Sequence, residues 1–534
     1  MKVPESFKGV DRTHKKATFI YAGFALQTLK KLWASGLTNV FRQVSPVIFR
    51  SSKVAVQYSG VRESKEGRVN DFGGSSAEAQ EKFAGKCLKR ADRTFSQGLQ
   101  CQQINSMACL MSLEDSVFIS HSPQGCVGCT IMAVDMYRVG QAHRGVKEIK
   151  NPRIIVTNLD QKSVVFGGEQ KLRESVQKAV ERYNPKMIFV YSSCASGIIG
   201  DDIDTICATL EDEHPGSTII PIHCEGFKSK ICASGFDAAF IAINKYILKK
   251  EKKPTVPNLV NLFAPTTVSY ADQKEMERML SLIGAEVNYI PFYSSLEKIK
   301  RIPQAVASTS ICKVFADEFM KTLEEDYGIP YSHTVMPIGI RNTDKWYRGI
   351  AKVIGKEKEV EEIIAREHER IEPLVAKIRA RLEGKRVFIC GGTGRSFAAA
   401  ALIDDFGMKL VGLETPTYDD DAQVDVEYLN GIHKDFVIDV ANMQPFEQVN
   451  LVKKLKPDAF IGVPEWAAKL GIPTTHVLDG KRPTMGYDGL LYLGNKIADQ
   501  LSNPGFNKKL AAHVKLPYRE SWYEEDAFKY IVGE

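Results

Sequence analysis

A β–α rhythm constrains this chain more than any single motif does. Short runs of β-branched, aromatic and aliphatic residues recur at 116–120, 153–157, 187–191, 218–222, 259–263, 287–291, 386–390, 409–413, 436–439 and 459–463. Most are continuously apolar rather than alternating, which is the pattern of strands covered on both faces. Stretches with helical spacing lie between them, for example at 170–183, 272–283 and 313–327. Such alternation leaves few solutions: parallel, doubly wound sheets with right-handed crossovers. The expected fold class is α/β, with three Rossmann-like domains. In such sheets ligands bind at the carboxyl ends of strands, so bound groups are expected there and between domains.

At 534 residues the chain is too long for one core. Residues 1–86 lack the rhythm, include a polar, glycine- and serine-rich tract, and read as an N-terminal extension. Domains are expected at 87–255, 256–350 and 351–534. The lysine-rich stretch 249–257 serves as a linker, and 356–384 forms a long charged helix or helix pair before the last domain. An apolar run from Ala17 to Leu26 follows Lys15-Lys16, but Gln27 and Lys30-Lys31 come directly after it. It is too short to span a bilayer and has no convincing cleavage site. Phe19 to Trp33 is expected to be an amphipathic helix packed on the body or on a partner. The net charge of +6 is small for this length, and no basic aromatic stripe argues for nucleic acid. A cytoplasmic chain with no membrane and no nucleic-acid partner is expected.

Eleven cysteines in a reducing cytosol are thiols, thiolate ligands or inert core residues. Cys101, Cys126 and Cys194 sit in glycine- or serine-marked loops at or near strand ends, whereas Cys312 and His476 lie far downstream. The C-x-x-C pair Cys126/Cys129, with Cys101 and Cys109, could form a zinc or four-iron site. Cys312 is expected at the start of a helix, where the thiolate is favoured. Gly391-Gly392-Thr393-Gly394 follows a strand and is expected to open a helix at Ser396, exposing backbone N–H groups. The full dinucleotide and P-loop spacings are missing, so no ATP is expected on this chain. Asp202 or its neighbour Asp201 is expected to cap a helix near Ile203. Asp419 to Asp421 reads as a solvated loop.

Several segments, in order, resemble the α subunit of the catalytic component of nitrogenases and nitrogenase-like reductases, from about residue 87 onward. Phe118 to Cys126 resembles the family's I-S-H-G-P-x-G-C segment, with Ser122 in place of a glycine. Val165 to Glu169 resembles V-F-G-G-E. Cys194 to Ile203 resembles T-C-x-x-x-L-I-G-D-D-I, and Cys224 to Phe227 matches C-E-G-F. The resemblance implies that Cys101, Cys126 and Cys194 are the α-side ligands of an [8Fe-7S] P-cluster shared with a β subunit, with Cys109 an alternative to Cys101. It implies that Cys312 and His476 hold a nitrogenase-type iron–sulfur cofactor at two opposite ends. It also implies an α2β2 heterotetramer fed by an ATP-hydrolysing [4Fe-4S] iron protein.

The departures bear on substrate. Counting forward from C-E-G-F, Cys232 and Phe236 stand where the family carries a glutamine and a histidine facing the cofactor. The arginine of the glycine-rich loop falls at Gly394, with Arg395 adjacent and Gly392 before it. Phe236 cannot donate a proton. A less polar pocket formed by Cys232, Phe236 and Arg395 suits a small thioether, so the expected kind is a methylthio-alkane reductase α subunit. An alternative nitrogenase, a cofactor-assembly scaffold and a tetrapyrrole-type reductase stay open. The heterometal and organic acid of the cofactor are not specified.

Overall fold

The computed structural model describes Arg62 and residues 71–85, 92–95, 101–128, 130–229, 231, 233–333, 335–442, 444–462 and 466–532, all within one compact unit, Ser59–Glu534. The helix expected over 19–33, Cys129 and Cys232 lie outside the described residues. In chain order the first strands are β1 (Phe72–Ser75), β2 (Asp92–Arg93), β3 (Ser116–Ser120), β4 (Ile154–Val156), β5 (Met187–Tyr191) and β6 (Thr218–Ile222). Next come β7 (Leu259–Ala264), β8 (Glu286–Pro291), β9 (Ala307–Ser310), β10 (Tyr331–Ser332) and β11 (Arg386–Cys390). The last are β12 (Lys409–Thr415), β13 (Val437–Val440), β14 (Ala459–Gly462), β15 (Thr474–Thr475) and β16 (Ile531–Val532).

Fourteen of these strands build three mainly parallel sheets, as expected, and β2 pairs antiparallel with β16 in a fourth. The first runs β4-β3-β5-β6 and the second β10-β9-β7-β8, all parallel. The third runs β1-β13-β12-β11-β14-β15. The continuous apolar runs are the reason. Every residue of β3, β5 and β7 is buried, as helices on both faces require. Phe118 and Phe189 pair in register across β3 and β5 and stack at 5.8 Å.

Three expectations change. The N-terminal extension is not wholly outside the sheets: β1 pairs antiparallel with β13 and closes the edge of the third sheet. This blunts an edge that would otherwise expose unpaired backbone groups. The helix expected from residue 313 begins at Asp317, so Cys312 occupies a turn just after β9, with Ser310 Oγ accepting from its N–H at 3.2 Å. The helix after the glycine-rich turn starts at Thr393, not Ser396. Residues 356–384 resolve into one helix, Glu357–Leu382, with Pro373 inside it. No helix among the described residues is long and apolar enough to cross a membrane.

Candidate cluster sites

Three motif segments are tied together by one carboxylate. Asp201 accepts from the Gly168 N–H at 2.9 and 3.1 Å, and its Oδ2 lies 2.9 Å from His121 Nε2. His121 Nδ1 faces Thr157 Oγ1 at 3.1 Å. Burial lowers the His121 pKa, which favours a neutral ring donating from Nε2 to Asp201. A side chain at Gly168 would meet Asp201 and His121 at 2.6 and 2.7 Å, so only glycine fits. Asp202, the next residue, caps the helix Ile203–Glu213 through Thr205, as the sequence suggests. Asp201 has this different task.

The tie fixes the loops that follow β3 and β5, which carry Cys126 and Cys194. Cys126 lies in the short helix Gln124–Gly128. Cys194 opens the helix Cys194–Ile199, where Ser193 and Ser196 form a reciprocal capping box and left-handed Gly200 stops the helix. Cys101 precedes the helix Gln102–Leu110, and its carbonyl accepts from the Asn105 backbone and side chain, both at 3.1 Å. The thiols of Cys101 and Cys194 both lie against Gly226. A Cβ there would stand 2.9 Å from Cys101 Sγ and 3.5 Å from Cys194 Sγ. Cys194 is exposed, and Cys101 and Cys126 are partly so. Around them Val165, Phe166 (85% exposed) and Ile198 (76%) present an apolar surface to solvent. Cys109 differs: it is 1% exposed, and burial pushes its thiol pKa well up. Cys224 is also buried, with its S–H directed at the Ser192 carbonyl at 3.4 Å. Both are core thiols.

A second group forms where the second and third sheets meet. Gly394, in the first turn of the helix Thr393–Asp405, places a would-be Cβ 3.3 Å from Cys312 Sγ. The Arg395 guanidinium donates to the Val477 carbonyl and, at 3.2 Å, to that of Thr267. Val477 follows His476, so Arg395 links the Cys312 turn to the His476 segment. The far end of that segment is held by buried Asp272, which accepts from the Thr484 and Met485 N–H groups at 2.5 and 3.1 Å. Burial raises the Asp272 pKa. Thr484 Oγ1 returns to Val477 O at 3.3 Å. Phe236 packs edge-on against Phe315, three residues after Cys312, at 4.9 Å.

Cys312 is surrounded deeply enough that burial raises its pKa, yet part of its surface stays accessible. Arg395 shows the same combination, with its pKa lowered by burial. The Cys312 thiol is therefore not activated by a helix N-terminus, because the helix starts five residues later. Gly392 caps its helix and faces open space. Asp419 is a buried cap accepting from Ala422 N at 2.8 Å, and Asp421 faces His333 at 2.9 Å, so this stretch is not a solvated loop.

Sequence reasoning missed the roles of Asp201, Gly226 and Asp272. Gly226 lies inside C-E-G-F, where a glycine between a carboxylate and an aromatic signals close approach. Asp272 carried no local signal.

Comparison with known proteins agrees with the fold. The nitrogenase Cp1 structure at pH 5 superposes with a TM-score of 0.65 at 22% identity, covering 80% of this chain and 92% of that one. The nitrogenase iron-molybdenum cofactor biosynthesis protein NifE of Methanococcus maripaludis is 30% identical over 374 residues, covering 68% of this chain and 75% of that protein. The nitrogenase molybdenum-iron protein alpha chain of Methanosarcina barkeri is 27% identical over 450 residues, 73% of this chain and 83% of that one. The family profile described as nitrogenase component 1 type oxidoreductase matches residues 101–502, which span every cysteine and histidine assembled above. With that match over most of its length and on that fold, the chain belongs to the nitrogenase component 1 type oxidoreductase family.

Proposed function

We propose that this chain is the α-type, cluster-bearing subunit of a nitrogenase-like reductase that cleaves C–S bonds in small methylthio-alkanes. The family binds iron–sulfur clusters and typically works with a β subunit and an iron protein. The observation that carries the reading is the approach of Gly394 to the Cys312 thiol together with the bond from Arg395 to the Val477 carbonyl, next to His476. The donors there fit a nitrogenase-type cofactor: a soft thiolate on one side, an imidazole-bearing segment on the other, and a fixed guanidinium suited to an anionic group. Cys101, Cys126 and Cys194 would supply half of an [8Fe-7S] P-cluster. Two of these thiols already lie against one glycine, where a Cβ would collide. The exposed apolar residues beside them fit a β subunit holding the other half in an α2β2 assembly.

The cofactor, when bound, supplies low-potential electrons to the substrate. The residues of this chain hold and enclose it. Arg395 is fixed by two carbonyls, so its charge is aimed without a reorganisation cost. Asp272 and Thr484 hold the His476 segment at both ends. Phe236 offers an apolar, non-titrating edge that suits an alkyl group. The overall change is R–S–CH3 plus two electrons and two protons giving R–H and methanethiol. The test is methanethiol release from ethyl methyl sulfide by the anaerobically purified complex with iron protein, ATP and a reductant. Cys312→Ala should keep the P-cluster signal and lose turnover. Retained C–S cleavage in that variant would sink the assignment.

A second reading, a cofactor-assembly scaffold, is favoured by the relatives named as cofactor biosynthesis proteins. Transfer of its iron–sulfur cargo to an apo-enzyme, without thioether turnover, would select it. Dinitrogen and acetylene reduction by the same complex would select an alternative nitrogenase instead.

A further inference from the structure

Arg62 lies upstream of the residues that match the family, 101–502, so that match assigns it no role. It is 1% exposed. Its guanidinium is gripped by two buried carboxylates. Nη1 and Nη2 donate to Asp317 at 3.1 and 2.6 Å. Nη2 also donates to Asp237 at 2.5 Å, and Nε donates to the other Asp237 oxygen. A cation is buried this completely only when paired and hydrogen-bonded, and here both carboxylates bind the planar fork in two-point contact, Asp237 side-on through Nε and Nη2 and Asp317 end-on through Nη1 and Nη2.

The positions of the two carboxylates give the pairing its meaning. Asp237 follows Phe236 on the helix Ala233–Ala242. Asp317 opens the helix Asp317–Tyr327, five residues after Cys312. Between them Phe236 meets Phe315. Arg62 therefore joins the two elements that carry the Phe236 wall and the Cys312 turn.

We infer that Arg62 is a positioning residue of the Cys312 site: by clamping Asp237 to Asp317 it keeps the Phe236 wall closed against the Cys312 turn. It acts through these carboxylates and touches neither ligand. The inference rests on the reading that Cys312 holds the cofactor. A lysine keeps the charge but cannot span both carboxylates with a planar fork. A purely structural clamp would be replaceable by removing all three charges.

The test is the rate at which iodoacetamide alkylates Cys312 in the full-length chain, read by mass spectrometry against Cys194 in the same sample, with thermal melting alongside. It needs no bound cluster. It therefore stands apart from failure of the cofactor reading, which would show as iron absent from the wild-type complex. Arg62→Lys should speed Cys312 labelling about tenfold, as for a local opening made one decade easier, with Cys194 unchanged. Arg62→Met combined with Asp237→Asn and Asp317→Asn should recover most of the melting temperature lost in Arg62→Met alone and still label fast at Cys312. Labelling within about twofold of wild type in both Arg62→Lys and the triple variant would overturn the inference. If Arg62→Met alone does not fold, those two variants still decide.

Discussion

Gly226→Ala isolates the geometry of the thiol pair. No left-handed backbone requirement applies at Gly226, so the only change is the added methyl. That methyl would stand 2.9 Å from Cys101 Sγ and 3.5 Å from Cys194 Sγ. The second distance is tolerable contact. The first falls short of ordinary carbon–sulfur packing by roughly 0.7 Å, given favourable heavy-atom contact near ~3.5–4.0 Å. The Cys101 backbone is held by two bonds from Asn105, so the displacement falls mainly on its side chain. Overpacking of this size costs about 1–3 kcal/mol, which a chain of this length survives. Metal ligation is far less forgiving, since ligand distances hold to about 0.2 Å. The shift needed is about three times that tolerance, so ligation should fail before folding does. Iron analysis and EPR of the anaerobically purified complex should show the P-cluster signal lost or strongly altered, with circular dichroism and melting near wild type. An unchanged P-cluster signal at full iron content would refute the claim that Cys101 and Cys194 ligate one cluster above Gly226.

Other outcomes follow from the same structure. Cys101→Ser should remove the P-cluster signal. Cys109→Ser should keep it and lower stability by about 1–3 kcal/mol in urea titration, because a hydroxyl enters an apolar core. Asp201→Ala removes the acceptor shared by Gly168 and His121 and should cost about 1–3 kcal/mol for each donor left unpaired in the same titration; little change would mean that the motif loops hold without it. Burial raises the Asp405 pKa from 3.8 to about 7, against the Ile340 N–H that donates to it. A raised carboxyl stabilises the fold below about pH 4, and that contribution is lost as pH rises through about 7. Asp405→Asn should therefore flatten the fall in stability between about pH 4 and 7 by about 2 kcal/mol, half of a ceiling near 4 kcal/mol. Parallel pH profiles for variant and wild type would contradict it.

Much of the fold was legible because its strands are buried on both faces. Continuous apolar runs at 116–120, 187–191, 218–222 and 386–390 match β3, β5, β6 and β11 end to end. The strands that were missed lack such a run. β9 reads Ala-Ser-Thr-Ser, in which Ser308 accepts from Asn261 on β7 and Ser310 serves the Cys312 turn, and β10 and β15 are two residues each. β1 reads Phe-Gly-Gly-Ser and exists because the edge of β13 accepts it, a tertiary cause with no local signature. The helix start misplaced by four residues at 313–317 has a similar origin: Ser310 holds Cys312 in a turn that propensity alone would have made helical.

The site divides along the same physical line. Cys101, Cys126, Cys194, Cys312 and His476 could be picked out because soft ligands in glycine-marked loops are unusual enough to stand out in a sequence. What places them is long-range and polar. Asp201 reaches Gly168 and His121, Asp272 reaches Thr484, and Arg62 reaches Asp237 and Asp317 across 175 and 255 residues. Each of these is a buried charge, and a buried charge is costly unless its partners are complete. Arg93 repeats the pattern, joining the N-terminal part to Asp439 and Glu447 at 2.8 and 2.9 Å. Two arginines upstream of the matched region thus hold onto buried carboxylates, one beside the Phe236 wall and one against the third sheet. The ligands of such a site are written as residue types. Its geometry is written as pairings of opposite charge between distant segments, which become readable only once the fold has brought them together.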